Sequence, residues 1–97
     1  MENNKDNIKI LPDIFFKNGY RYNLLQRTSK KAFYKQSLGN DQVAFEVFLI
    51  RIRGAQFSPL LNRVVCSAER FPCNEDFGKT AWSIMNYGDA LEKFNEL

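Results

Sequence analysis

A chain of 97 residues suffices for one domain and is too short for two independent cores. Its 44% hydrophobic and 14% aromatic content excludes a disordered chain, and no run of about 18 apolar residues marks a transmembrane helix. The formal net charge of +3 is uneven: residues 1–42 carry net +4, and residues 64–97 carry net −3. Such a split can give the surface a positive and a negative side.

The polar opening MENNKDN (1–7) is expected to be a flexible tail, followed by a single α+β domain over 8–97. It lacks the apolar stretch of a secretory signal, so the expected compartment is the cytoplasm. IKILPDIFF (8–16) is too apolar to float free, and Pro12 interrupts it. It is expected to be an arm or short helix laid over a sheet, with Asp13 as a cap, or a segment that docks on a partner or second copy.

Asn18-Gly19 signals a reversal. YRYNLLQRT (20–28) alternates Tyr20, Tyr22 and Leu24 against Arg21 and Asn23, with Leu25 breaking the second face. KAFYKQS (31–37) sets Phe33 opposite Ala32 and Tyr34, and the TSKK link is short enough for a hairpin. LGNDQ (38–42) turns again, because Gly39 and Asn40 tolerate positive φ.

VAFEVFLIRIR (43–53) is the clearest strand, rich in β-branched and aromatic residues. Val43, Phe45, Val47 and Leu49 share one face; Phe48, Ile50 and Ile52 share the other. Apolar residues on both faces predict a central strand covered by helix on one side and by loop or arm on the other, or a bulge that changes register. GAQFSPLLN (54–62) predicts an irregular connection whose Phe57, Leu60 and Leu61 fold back out of water.

RVVCSAER (63–70) predicts a strand with Val64, Cys66 and Ala68 on one side, and KTAWSIM (79–85) another. Between them, Phe71-Pro72 ends a strand, Asn74 makes an Asx-turn or caps one helical turn, and Gly78 permits the exit. Phe71, Phe77 and Trp82 are the expected anchors, with Glu46 or a loop carbonyl receiving the indole N–H. YGDALEKFNEL (87–97) predicts a helix, since Ala90, Leu91, Phe94 and Leu97 form a stripe three or four residues apart. The assembled expectation is an α+β fold: a small antiparallel sheet of four to five strands with the C-terminal helix packed on one face.

Phe45-Glu46-Val47-Phe48, the segment FPCNEDFGKTAW and the terminal ALEKFNEL resemble a group of small, poorly characterised proteins carried by bacteriophages and mobile elements of the Bacteroidetes. The resemblance spans roughly residues 20–97 and rests on Glu46, Phe71, Pro72, Asn74, Glu75, Asp76, Phe77, Gly78, Ala81 and Trp82. Cys73 departs from the small polar residue expected there. The resemblance implies a phage origin and an accessory role, such as an anti-defence (anti-CRISPR-like) inhibitor, without a settled activity.

The residues offer little to catalysis. There is no histidine, Cys66 and Cys73 lack the spacing of a structural zinc site, and Cys73 has no base to take its proton. Adjacent Glu75 and Asp76 on a strand would point to opposite faces, the wrong arrangement for an acid–base pair. No cofactor, metal or enzymatic activity is expected.

Two surfaces remain as candidates for partner binding. One is the basic, aromatic hairpin bearing Arg21, Arg27, Lys30, Lys31 and Lys35, joined across the sheet by Arg51 and Arg53. The other is Asn74, Glu75, Asp76 and Lys79. The expected function is a non-enzymatic accessory binding protein, an inhibitor of a host defence nuclease complex acting on a protein or ribonucleoprotein. The alternative is a direct single-stranded nucleic-acid binder that stacks bases on the hairpin's rings.

Overall fold

Two tight turns wind the first half of the chain into a meander. The structure, a computed structural model, describes residues 8–65 and 67–97. The first turn joins β1 (Ile14–Lys17) to β2 (Tyr20–Arg27) with Lys17 opposite Tyr20, leaving Asn18 and Gly19 as the loop. Their φ values of 55° and 86° are those of a type I′ turn, whose twist matches the strands.

β2 runs on to β3 (Lys31–Leu38), and β3 to β4 (Asp41–Leu49) through a second two-residue loop at Gly39-Asn40. Gly39 alone takes a positive φ there, 62°. Leu25, the residue that broke the alternation, sits at a register shift between Leu24 and Gln26. The bulge keeps Tyr22 and Leu24 facing the core on one side of it and brings Arg27 to that same face on the other.

β9 (Ala81–Ile84) closes the sheet antiparallel to β4, giving the order β1-β2-β3-β4-β9. The C-terminal helix α1 (Tyr87–Glu96) packs on β3, β4 and β9. Asn86 caps it by accepting the Asp89 N–H at 3.0 Å. The fold is therefore α+β, with one helix against a five-stranded antiparallel sheet.

Both faces of the sheet are covered at β3 and β4, as the two-sided pattern of β4 required. Phe33, Phe45 and Val47 bury against Ala90 and Phe94 on the helix face. On the opposite face Tyr22, Ala32, Tyr34, Phe48 and Ala81 lie beneath Leu11, Phe15, Phe71 and Phe77. Phe71 is the hub of this second layer, its ring 4.0 Å from Phe15, 5.2 Å from Tyr34 and 5.4 Å from Phe48.

The segment after residue 8 forms no helix. Residues 8–12 are an arm: Lys9 bridges Ala68, Leu11 is buried, and Tyr34 donates its hydroxyl to the Pro12 carbonyl at 2.7 Å. From Ile14 the chain becomes a strand, because Asn18-Gly19 returns it alongside β2.

The expected single strand over 43–53 breaks after Leu49. β3 begins at Lys31, opposite Leu49, and the Ile50 N–H makes one more bond, to the Lys30 carbonyl at 2.7 Å, before the 28–30 turn carries that neighbour away. The chain leaves the sheet, and β5 (Arg51–Arg53) pairs with β8 (Ala68–Arg70) instead. The irregular connection expected at 54–62 is also corrected. β6 (Gln56–Ser58) pairs with β7 (Arg63–Val65) around a loop at 59–62, where Asn62 takes a φ of 54°. The single strand expected over 63–70 is thus two strands in two separate ladders, and Cys66, expected on one side with Val64 and Ala68, lies outside the described residues.

Candidate contact surface

The basic hairpin expected to bind a partner does not present its charges as one patch. Arg27 lies on the arm face, where Nη1 and Nη2 donate to Glu69 Oε1 and Oε2 at 2.7 and 2.8 Å. Glu69 Oε1 also accepts the Leu11 N–H at 2.9 Å. The bond from Arg27 holds the Glu69 carboxyl below its ordinary range and pushes the guanidinium's own pKa up. This cation is a fastener between β2, β8 and the arm.

Lys31 has a structural task as well. Its Nζ donates to the Phe94 carbonyl at 2.7 Å and sits 4.7 Å from the centre of the Phe94 ring. It satisfies a carbonyl at the negative end of α1. Lys35 is half-buried, opposite Phe45, and Arg21 is exposed opposite Ser37. Lys30 is exposed in the 28–30 turn, where its N–H donates to Thr28 Oγ1 at 3.0 Å.

The second candidate surface divides in the same way. Asn74 and Glu75 are exposed in a single 3₁₀ turn (Asn74–Asp76), and Lys79 is exposed just after it. Asp76, expected at the surface, is buried. One carboxylate oxygen accepts the Cys73 N–H at 2.9 Å and the other lies 3.2 Å from Arg51 Nη1, while Arg70 approaches to 3.8 Å. The capping residue is therefore Cys73, with Asp76 reaching back to its amide, in place of Asn74.

Trp82 also differs from expectation. It pairs with Val47, on the helix face, whereas Glu46 points to the other side and accepts from Tyr22 Oη at 3.3 Å. The indole is half-buried beneath Lys93, whose Nζ is 4.1 Å from the ring centre.

Glu46, Tyr22 and Gln36 form a short chain on the arm face, with Gln36 Nε2 donating to Tyr22 Oη at 2.9 Å. Burial pushes the Glu46 carboxyl above its ordinary range, and burial with the neighbouring carboxylate pushes Tyr22 up to about 12. A groove of about 410 Å³ opens between the arm and β8, lined by Leu11, Pro12, Phe15, Arg53, Glu69 and Phe71. Its carboxylate is already engaged by Arg27. Among the described residues, no three metal-ligating side chains converge.

The exposed apolar groups gather elsewhere. Phe57 and Val64 are cross-strand neighbours on the β6–β7 hairpin and are 58% and 60% exposed. Leu60 and Leu61 form its tip, Leu60 at 93% exposure, so the expected folding back does not occur. Ile52 on β5 is exposed too. Residues 51–70 carry Arg51, Arg53, Arg63 and Arg70; of these, Arg51 and Arg70 meet Asp76, and Arg63 is exposed on the hairpin.

Sequence reasoning passed over this hairpin because its apolar residues lacked helical or strand periodicity. The available signal was three large apolar residues, Phe57, Leu60 and Leu61, between Gly54 and Asn62 in an arginine-rich segment. No family model, no curated protein and no solved structure matches this chain.

Proposed function

We propose that this protein is a non-enzymatic binding module whose β6–β7 hairpin docks into an apolar groove rimmed by acidic groups on a partner protein. The observation that carries the reading is the water-facing set Phe57, Leu60, Leu61 and Val64 on the hairpin that also bears the exposed Arg63. Contiguous apolar surface is costly to leave in water and tends to mark contact sites. Arginine and aromatic side chains are enriched at interface centres, where lysine and acids are depleted.

Leucine and valine offer no stacking platform for bases, so the composition favours a protein surface over single-stranded nucleic acid. An accessory inhibitor of a host defence complex, the role the phage resemblance implies, is a binder of this class. A nuclease complex is accordingly the first partner to test.

The test compares the wild-type chain with a Phe57→Ser, Leu60→Ser, Leu61→Ser variant. Both are tagged, expressed in the same host and analysed for what co-elutes. The reading expects the variant to keep its melting temperature, because the replaced groups belong to neither core cluster, and to lose a specific protein partner. A variant that retains every partner refutes it. So does affinity for naked single-stranded RNA or DNA that falls steeply with salt and survives in the variant.

A further inference from the structure

We propose that the free edge of β1 pairs antiparallel with β1 of a second copy, in the one register that sets Asp13 against Lys17. This inference is independent of the hairpin reading. Hydrogen bonds of an antiparallel ladder alternate, so opposed residues are bonded at every second position. The Leu24 N–H donates to the Asp13 carbonyl at 2.7 Å, which assigns Asp13, Phe15 and Lys17 as the residues bonded to β2. The backbone N–H and C=O groups of Ile14 and Phe16 therefore point away from the sheet, to an edge that, among the described residues, no strand pairs with.

The side chains of these two residues are 56% and 72% exposed. They lie on the helix face, where α1 packs against β3, β4 and β9 and leaves β1 uncovered. An edge that offers unpaired backbone groups beside large apolar side chains is a template for another strand. The opposite edge of the sheet is blunted: the first outward carbonyl of β9, that of Ala81, accepts the Gly78 N–H at 2.7 Å.

The sequence of the edge identifies the occupant. Asp13-Ile14-Phe15-Phe16-Lys17 is complementary to itself when run antiparallel. With Phe15 on a two-fold axis, Ile14 faces Phe16 of the second copy, and each such pair exchanges two hydrogen bonds. Asp13 then faces Lys17 of the second copy, and Lys17 faces its Asp13. Both are exposed, and both point to the same face as Phe15. Shifting to either neighbouring register places a charge against Phe15 and leaves its counterpart unmatched. Backbone donors, apolar side chains and charges thus agree on one arrangement, and it requires a copy of this chain.

Sedimentation velocity from low micromolar to millimolar protein tests the proposal. Expected is a concentration-dependent monomer–dimer equilibrium. Asp13→Lys and Lys17→Asp should each weaken dimerisation roughly tenfold or more, since two facing pairs turn from attraction to repulsion. Mixing the two variants should restore association as a heterodimer, and the double variant should self-associate as the wild type does. The swaps keep the test decisive even if one single variant folds poorly.

Three results with the wild type and the charge variants overturn the proposal. They are a monomer up to millimolar concentration, a dimer indifferent to both reversals, and reversals that weaken it without recovery on mixing. A dimer lost only in the Phe57→Ser, Leu60→Ser, Leu61→Ser variant also overturns it, because the hairpin would then be the self-contact.

Discussion

Replacing Glu69 by alanine should unfasten the arm and the β5–β8 ladder from the main sheet together. Its carboxylate accepts from both Arg27 terminal nitrogens and from the Leu11 amide, and its side chain is only 7% exposed. The substitution leaves a guanidinium, itself 23% exposed, without its counter-charge, and an arm amide without an acceptor. Removing one partner of a buried pair costs roughly 3–5 kcal/mol, and Arg27's partial exposure argues for the lower end, about 3 kcal/mol. For a domain of this size that is a fall in melting temperature of roughly 12–24 °C. Urea denaturation followed by circular dichroism at neutral pH would measure it. Pairing Glu69→Leu with Arg27→Met should be less damaging than the two single losses added, because the double variant strands no charge. Acid titration supplies a second reading. The folded-state pKa of Glu69 is depressed, so its contribution is present in full above the unfolded value near about 4.3 and is lost as pH falls through the folded value. The stability gap between wild type and Arg27→Met should accordingly hold from neutral pH to mild acid and then close. A loss below about 1 kcal/mol for Glu69→Ala, or a strictly additive cycle, would refute the fastener.

Phe94→Ala should cost about 3–5 kcal/mol, since a fully buried ring facing Phe33 and Ala90 leaves a cavity; an unchanged denaturation midpoint would contradict that packing. Glu46→Gln should stabilise at neutral pH, because burial raises the folded-state pKa and the native state favours the protonated form; the gain should vanish below the ordinary carboxylate pKa, as paired thermal melts would show.

The elements legible in the sequence were those specified by local pattern. Asn18-Gly19, Gly39, the alternation of Phe33 with Tyr34 and the stripe ending at Phe94 each state their geometry within a few residues. Leu25 announced its bulge by breaking an alternation. What escaped was set by where neighbours end. No feature of VAFEVFLIRIR says that β3 stops at Lys31, and that stop is what sends Arg51–Arg53 to a different partner. The basic residues misled for a related reason. Arg27, Lys31 and Arg51 look like solvated cations in sequence, and their partners Glu69, the Phe94 carbonyl and Asp76 lie 25 to 63 residues away. Asp76 looked like surface because it stands among Asn74, Glu75 and Lys79 in a polar turn.

Those long-range pairs bear on function through position. Arg27 holds β8 through Glu69, Asp76 holds Arg51 at the start of β5, and β5 and β8 pair with each other. Together these strands form the base from which β6 and β7 extend, so the charges spent inside the fold fix where the exposed hairpin begins. The hairpin tip has no such support, and its apolar residues contribute nothing to the core clusters. Several charges anchor the hairpin's base while its large apolar side chains stay in water, which is the arrangement the proposed binding role needs. If β1 also joins two copies, each assembly carries two hairpins. A partner with two sites, or an oligomeric one, would then be bound with an avidity that neither hairpin has alone, and the Lys17→Asp variant would lose that excess while keeping the affinity of a single hairpin.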